Sequence, residues 1–298
     1  RRTVAVGERG LVLASEDGGT SWRQQPTPVS VTLTAVRFVD ANHGAAVGHG
    51  GVVLKTADAG ASWHVVLDGQ RAAQEALDSA RALGSAALIG DAERLVAEGA
   101  DKPFLDLLMP DASTLVVVGA YGLAFASSNG GRTWTSWLDR LDNPKALHVY
   151  ALRRRDDTWL AAGEQGLLLH SANGGKSFRR LPSPYKGSFF VAELISEQEI
   201  VVAGLRGNVW RSGDAGSHWT QVAAPMPASI TASLRTPDGA LLLANQAGFV
   251  MKLAGDRLEP LHRSALPPIN GLVVVEGRRL MTLTVMGAMP LPAAALAS

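Results

Sequence analysis

Short apolar runs punctuated by Gly, Ser, Asp and Asn recur along nearly the whole chain. Runs of this kind, bounded by turn residues, read as short strands rather than helices. Residues 68–100 depart from the pattern. They are Ala-rich, as in Gln70-Arg71-Ala72-Ala73-Gln74-Glu75-Ala76-Leu77 and Asp91-Ala92-Glu93-Arg94-Leu95-Val96, and they read as two short helices. Gly84 and Gly90 are expected to divide them, with Asp91 as an N-cap.

The strands are organised by a repeat. Aligned on a small residue followed by x-Asp/Asn-x-Gly-x-x-aromatic, five segments superimpose, starting at 15, 56, 127, 171 and 212. Their acid or amide is Asp17, Asp58, Asn129, Asn173 or Asp214; their aromatic is Trp22, Trp63, Trp134, Phe178 or Trp219. A worn sixth copy near Lys252-Leu253-Ala254-Gly255 has lost both. In such an Asp-box turn the side-chain oxygen accepts hydrogen bonds from backbone N–H groups just ahead. Gly takes the positive-φ position, and the aromatic anchors the next strand in the core. Turn chemistry is a sufficient reason for these residues, so they are assigned to structure and not to catalysis.

A second signature, Gly-x-x-Gly after two apolar residues, precedes each copy. It appears as Gly7-Glu8-Arg9-Gly10, Gly48-His49-Gly50-Gly51, Gly119-Ala120-Tyr121-Gly122, Gly163-Glu164-Gln165-Gly166 and Gly204-Leu205-Arg206-Gly207. Asn245-Gln246-Ala247-Gly248 varies it, and Thr284-Val285-Met286-Gly287 is an incomplete seventh echo. The spacings between box starts are 41, 71, 44 and 41, and a period near 40 is the length of one four-stranded blade. The fold class is therefore all-β: a seven-bladed β-propeller, one domain over residues 1–298, with a helical insertion at 68–100 between blades 2 and 3. Blade 1 lacks its innermost strand and blade 7, near residues 270–292, is short. Either residues upstream of Arg1 supply that strand, or the termini share a blade to close the ring.

In a propeller the inter-blade connections and the turns between second and third strands share one face, and the Asp-box turns lie on the other. The insertion is thus expected beside the mouth of the central channel. Residues expected to present a partner-binding surface there are Arg9, His49, Tyr121, Glu164, Gln165, Arg206 and Gln246 from the turns. Asn143, Lys145, His148, Tyr185 and Lys186 join them from the connections.

Composition narrows the function. A formal net charge of +1 gives no bulk electrostatic case for nucleic acid. The absence of Cys removes disulfides, thiolate metal sites and a Cys nucleophile together, and it suits an oxidising compartment. The chain opens in mid-strand at Arg1-Arg2-Thr3-Val4, so upstream residues, a secretion signal among them, are expected to have been removed. The uncharged stretch 112–131 matches the repeat and reads as two strands and a turn, not a membrane span. Gly174-Gly175-Lys176-Ser177 resembles the end of a phosphate-binding loop, but position 170 is His where the full motif needs Gly. Seven histidines show no metal-ligand spacing, so neither a metal nor any other cofactor is expected. A sialidase needs a Tyr/Glu nucleophile pair, an acid and an arginine cluster. With three tyrosines, and with Arg153-Arg154-Arg155 and Arg278-Arg279 expected at first-to-second strand turns on the wrong face, that activity is not expected.

The alternation of Val-Gly-x-x-Gly-x-x-x-x-Ser with Asp-Gly-Gly-x-Ser-Trp resembles the photosystem II stability/assembly factor family (BNR repeat), over residues 3–287. Asp101-Lys102-Pro103-Phe104-Leu105-Asp106, Leu141-Asp142-Asn143-Pro144-Lys145 and Ala161-Ala162-Gly163-Glu164-Gln165-Gly166-Leu167 are similar to bacterial, non-photosynthetic members. The resemblance implies a non-enzymatic propeller that helps assemble membrane-protein complexes. For these relatives it implies the periplasm and a resistance-nodulation-division (RND) exporter as partner. A monomeric scaffold, with no transmembrane segment of its own, is the leading expectation. A glycan- or lipid-related ligand-binding propeller, a degenerate sialidase-like hydrolase, is the alternative.

Overall fold

The computed structural model describes residues 2–99, 101–275 and 279–291. It contains seven antiparallel sheets: residues 3–25, 33–67, 104–136, 149–180, 189–221, 230–260 and 269–290 form blades 1 to 7. Blades 2 to 6 have four strands laid down in sequence order, while blades 1 and 7 have three among the described residues. The first strands of blades 2 to 7 pack against one another around the axis: Leu33–Phe38, Phe104–Leu108, Val149–Arg155, Phe189–Leu194, Ile230–Arg235 and Ile269–Val275. Each carries a bulge after its first residue, and that first residue is buried and apolar in every case.

Second strands such as Leu115–Gly119 and Ile200–Gly204 are buried throughout, because neighbouring blades cover both faces. In blade 1 the corresponding strand, Thr3–Val6, is only half-buried along its length, and it pairs with the third strand alone. The described strands of the two ends sit in separate sheets. They meet where the Arg279 side chain donates to the Gly18 carbonyl and Met281 packs into the space beside Gly19. Arg1, Ala100, Arg278 and Pro292, which bound or contribute to sequence expectations above, lie outside the described residues.

The repeat turns close as their chemistry dictates. Asp17, Asp58, Asn129, Asn173 and Asp214 each accept a backbone N–H from four residues ahead, at 2.8–3.1 Å. Trp63, Trp134 and Phe178 are buried, but Trp22 and Trp219 are only partly so. Trp219 departs from the shared geometry: its indole N–H donates to Pro182 O at 2.9 Å, across to the preceding inter-blade connection. In blade 6 the worn copy is replaced by a tight hairpin at Gly255-Asp256, and four residue pairs join the last two strands.

The insertion is two helices, α1 (Gly69–Leu83) and α2 (Ala86–Glu98). Gly84, left-handed, ends α1 as expected, but Gly90 does not break the chain and Asp91 is not a cap. Asp68 caps α1 by accepting the Arg71 N–H, and Ser85 caps α2 by accepting that of Leu88. Gly90 sits inside α2, where its propensity cost of ~1 kcal/mol is offset by packing of Leu88, Ala92 and Leu95. The small face Ala72, Ala73, Ala76 and Ala80 lets α1 press against the outer strand of blade 3, and the start of the helix packs on the Gly48–Gly51 turn of blade 2. Arg71 fastens it there through Val66 O and Arg132 O.

Candidate functional site

The Gly-x-x-Gly turns explain which side chains this face presents. In blades 2 to 5 a Cβ on the first glycine (Gly48, Gly119, Gly163 or Gly204) would stand 2.1–2.3 Å from the carbonyl oxygen preceding the inner strand. The next residue donates its N–H to that same carbonyl: His49 to Thr32, Ala120 to Pro103, Glu164 to His148 and Leu205 to Ser188, at 2.9–3.0 Å. The turn is therefore bolted to the start of its own blade. The following residue sits in the left-handed region, at φ 54° in Tyr121, 50° in Gln165 and 58° in Arg206, and projects into solvent, as does Arg9 of blade 1 at 53°. Gly7 differs, for a Cβ there would meet nothing closer than 3.9 Å.

Of the residues singled out in the sequence, the structure gathers Tyr121, Asn143, Lys145, His148 and Glu164 on blades 3 and 4. Arg9, His49, Arg206 and Gln246 stand exposed on turns of other blades. Lys186 is exposed, whereas Tyr185 folds back over Gly187 and its ring lies 6.0 Å from that of Phe189. Asn143 is spent on structure, its amide donating to Leu147 O and accepting the Leu147 N–H.

His148 organises the cluster. Its Nδ1 accepts the Tyr121 N–H at 2.8 Å, and its own backbone N–H donates to the Glu164 carboxylate at 3.2 Å. Glu164 Oε2 is also 3.9 Å from Nδ1. A nitrogen that accepts a hydrogen bond carries no proton, so with this geometry the pair is not an ion pair. The Tyr121 and His148 rings meet edge-on at 4.9 Å, His148 and Tyr150 at 6.1 Å, and Tyr150 and Phe190 at 5.2 Å. Tyr150 and Phe190 are the bulge residues of the inner strands of blades 4 and 5, so the aromatic run passes from the outer turn towards the axis. Burial and the Glu164 charge push the Tyr150 phenol up, with a hydrogen bond to Ser188 opposing them.

Beside Tyr121 lies a cavity of about 590 Å³ between α2, the blade 3 turn and the connection to blade 4. Leu88, Leu95, Leu138 and Leu141 line it and are partly exposed, with Leu123 buried beneath. Tyr121, 54% exposed, forms one wall. Lys102 Nζ sits 5.2 Å from its ring centroid, held by Glu98 at 2.9 Å and Asp101 at 2.6 Å. Arg94 pairs with Asp91 on the rim, while Lys145 has no hydrogen-bond or carboxylate partner among the described residues. A half-open apolar trough of this size, with a polar rim, suits a peptide segment or a small amphipathic ligand.

A second constellation links the inner strands. Asp106 accepts from Arg37 at 3.0 Å and Arg153 at 2.7 Å; Glu193 accepts from Arg153 at 3.2 Å and Ser233 at 2.5 Å. These five side chains come from the inner strands of blades 2 to 6 and form one polar arc. Arg153 is therefore not at a first-to-second strand turn, as its sequence position suggests, but inside the ring, with both neighbouring carboxylates engaged. Among the described residues no three His, Asp or Glu side chains are grouped so as to hold a metal. No described helix is long and apolar enough to cross a membrane.

The sequence reading missed the arc, the bulge aromatics and the leucines of α2. Arg37, Arg153 and Glu193 occupy the same position counted from the first residue of their inner strands, so an alignment of first strands would have exposed part of the arc.

Comparison with known proteins adds the following. The family described as photosynthesis system II assembly factor YCF48 matches residues 92–257. The photosystem II assembly lipoprotein Ycf48 of Synechococcus sp. (strain CC9902) is 24% identical over 117 residues, covering 39% of this chain and 35% of that protein's length. The structure of YCF48 from Cyanidioschyzon merolae aligns with a TM-score of 0.68 at 15% identity, covering 94% of this chain and 88% of that one. A structure of YCF48 bound to D1 peptide aligns with a TM-score of 0.51 at 19% identity, covering 61% and 60%. At these identities the structural likeness is one of fold.

Proposed function

Because this chain belongs to the photosynthesis system II assembly factor YCF48 family, we propose that it is a non-catalytic scaffold that holds a segment of a membrane-protein complex during assembly. The observation that carries this reading is the leucine-lined cavity walled by the exposed Tyr121 and roofed by α2. A solvent-facing tyrosine beside an apolar patch with a polar rim is the anatomy of a protein-recognition surface. That a relative has been seen with a D1 peptide supports a peptide as the form of client. The client we propose here is an RND-type exporter met in the periplasm, for which the Cys-free composition is suited.

A scaffold reading also fits the chemistry of the mouth. Tyr150 and Glu164 are close enough to interact and could be taken for a hydrolytic Tyr/Glu pair. Burial and the Glu164 charge both hold the phenol in its neutral form, and the channel carboxylates are already paired with arginines. Site-specific photo-crosslinking in cells tests the proposal. A benzophenone side chain at Tyr121 should capture an exporter subunit, whereas one at Ala61, in a repeat turn on the opposite face, should not. Equal capture from both positions, or none from Tyr121 in intact cells, would refute it.

A further inference from the structure

On blades 3 and 5 the N–H of the left-handed turn residue is held by a side chain from the next inter-blade connection. For Arg206 the acceptor is Ser229 Oγ at 3.2 Å; for Tyr121 it is His148 Nδ1 at 2.8 Å. The two locks are geometrically equivalent and chemically different. A hydroxyl accepts at any physiological pH, whereas Nδ1 accepts only while unprotonated, and imidazole changes state near neutrality.

The structure supplies a destination for the protonated ring. Glu164 Oε2 lies 3.9 Å from the same Nδ1, and a small rotation would turn that approach into a charge-assisted hydrogen bond. We infer that His148 is a pH-operated latch on Tyr121: neutral, it holds Tyr121 as the wall of the cavity; protonated, it turns to Glu164 and lets the turn go. The inference rests on the cavity being the client site, and it adds that client grip loosens as the compartment acidifies.

Every charged or titratable group near the imidazole bears on this balance. Glu164, from the turn of the same blade, favours the cation. Tyr150, on His148's own blade, contributes a neutral phenol. Tyr121 lies edge-on, and beyond it Lys102 opposes protonation, but its charge is engaged by Glu98 and Asp101.

The test is NMR of ¹⁵N-labelled protein from pH 8 to pH 5, with Arg206 as internal control. The Tyr121 amide should move with the His148 imidazole, and its solvent exchange, corrected for intrinsic rate, should rise about tenfold for the loss of one hydrogen bond. The Arg206 amide should not follow. His148→Gln, whose side-chain oxygen accepts at every pH, should abolish the movement, and Glu164→Gln should displace it to lower pH. A Tyr121 amide that stays flat while His148 titrates, or that moves equally in His148→Gln, overturns the latch. The measurement needs no client, so a failure of crosslinking at pH 8 would count against the scaffold reading and leave this result standing.

Discussion

Replacing Asp106 with Ala tests whether the polar arc holds the ring together. The Asp106 side chain is 6% exposed; its two oxygens take Arg37, Arg153 and the Leu107 and Leu152 N–H groups. Arg37 is 43% exposed, so its share is small after solvent screening. Arg153, at 21%, would be left in the channel with Glu193 alone, and breaking a buried pair in this way costs about 3–5 kcal/mol. Two buried N–H groups would lose their carboxylate as well, so the expected loss is about 4 kcal/mol. Asp106→Asn keeps an acceptor and should lose roughly 2 kcal/mol. Urea unfolding followed by tryptophan fluorescence measures both. A combined Asp106→Leu, Arg153→Met and Glu193→Gln variant should recover most of the loss, since it leaves no buried charge stranded in the arc. A loss below about 1.5 kcal/mol for Asp106→Ala would refute the reasoning, because screening would then govern the arc.

The same residue sets an acid limit. Burial alone would raise its carboxyl, but the charges of Arg37 and Arg153 and the two N–H groups outweigh burial and hold it below the ordinary range. The stability it contributes is therefore complete above the unfolded carboxyl value and is lost as pH falls through the lower folded one. Wild type should lose stability on acidification more steeply than Asp106→Asn.

Two further substitutions separate local causes. Gly163→Ala drives a Cβ to 2.1 Å from His148 O and should lower stability by more than about 2 kcal/mol, whereas Gly7→Ala, with free space around it, should stay within about 0.5 kcal/mol; equal thermal shifts would contradict the bolted-turn account. In alkaline titration followed at 295 nm, Tyr150→Phe should remove a phenol that burial and the Glu164 charge push up, and the stability tied to that neutral phenol should fade as pH climbs through its ionisation; an unchanged upper limb would count against it.

The blade repeat was legible because its cause is local. Asp58 and Ser62, or Asn173 and Ser177, bond within one turn, so residue type and spacing carry the whole instruction. The tertiary relations were not legible. Asp106 and Arg153 are 47 positions apart, and nothing in either neighbourhood states that their strands are adjacent around the axis. Asp91 looked like a cap because composition alone cannot rank it against Ser85, which stands at the actual helix start. The Tyr121–His148 bond spans 27 positions, yet both residues were recoverable as polar or aromatic tips on the predicted face.

The junction of Gly18 and Gly19 with Arg279 and Met281 gives the ring a seam. Each bolted turn joins residues close in sequence, so its contacts carry little loop-closure cost, and each new blade has the preceding one to pack against. The seam joins positions 261 apart and can form only after six other blades exist. Its contacts carry the loop-closure entropy of nearly the whole chain. Growth of the ring is thus sequential while its completion is a single late event, and the same place is where mechanical or thermal opening would begin.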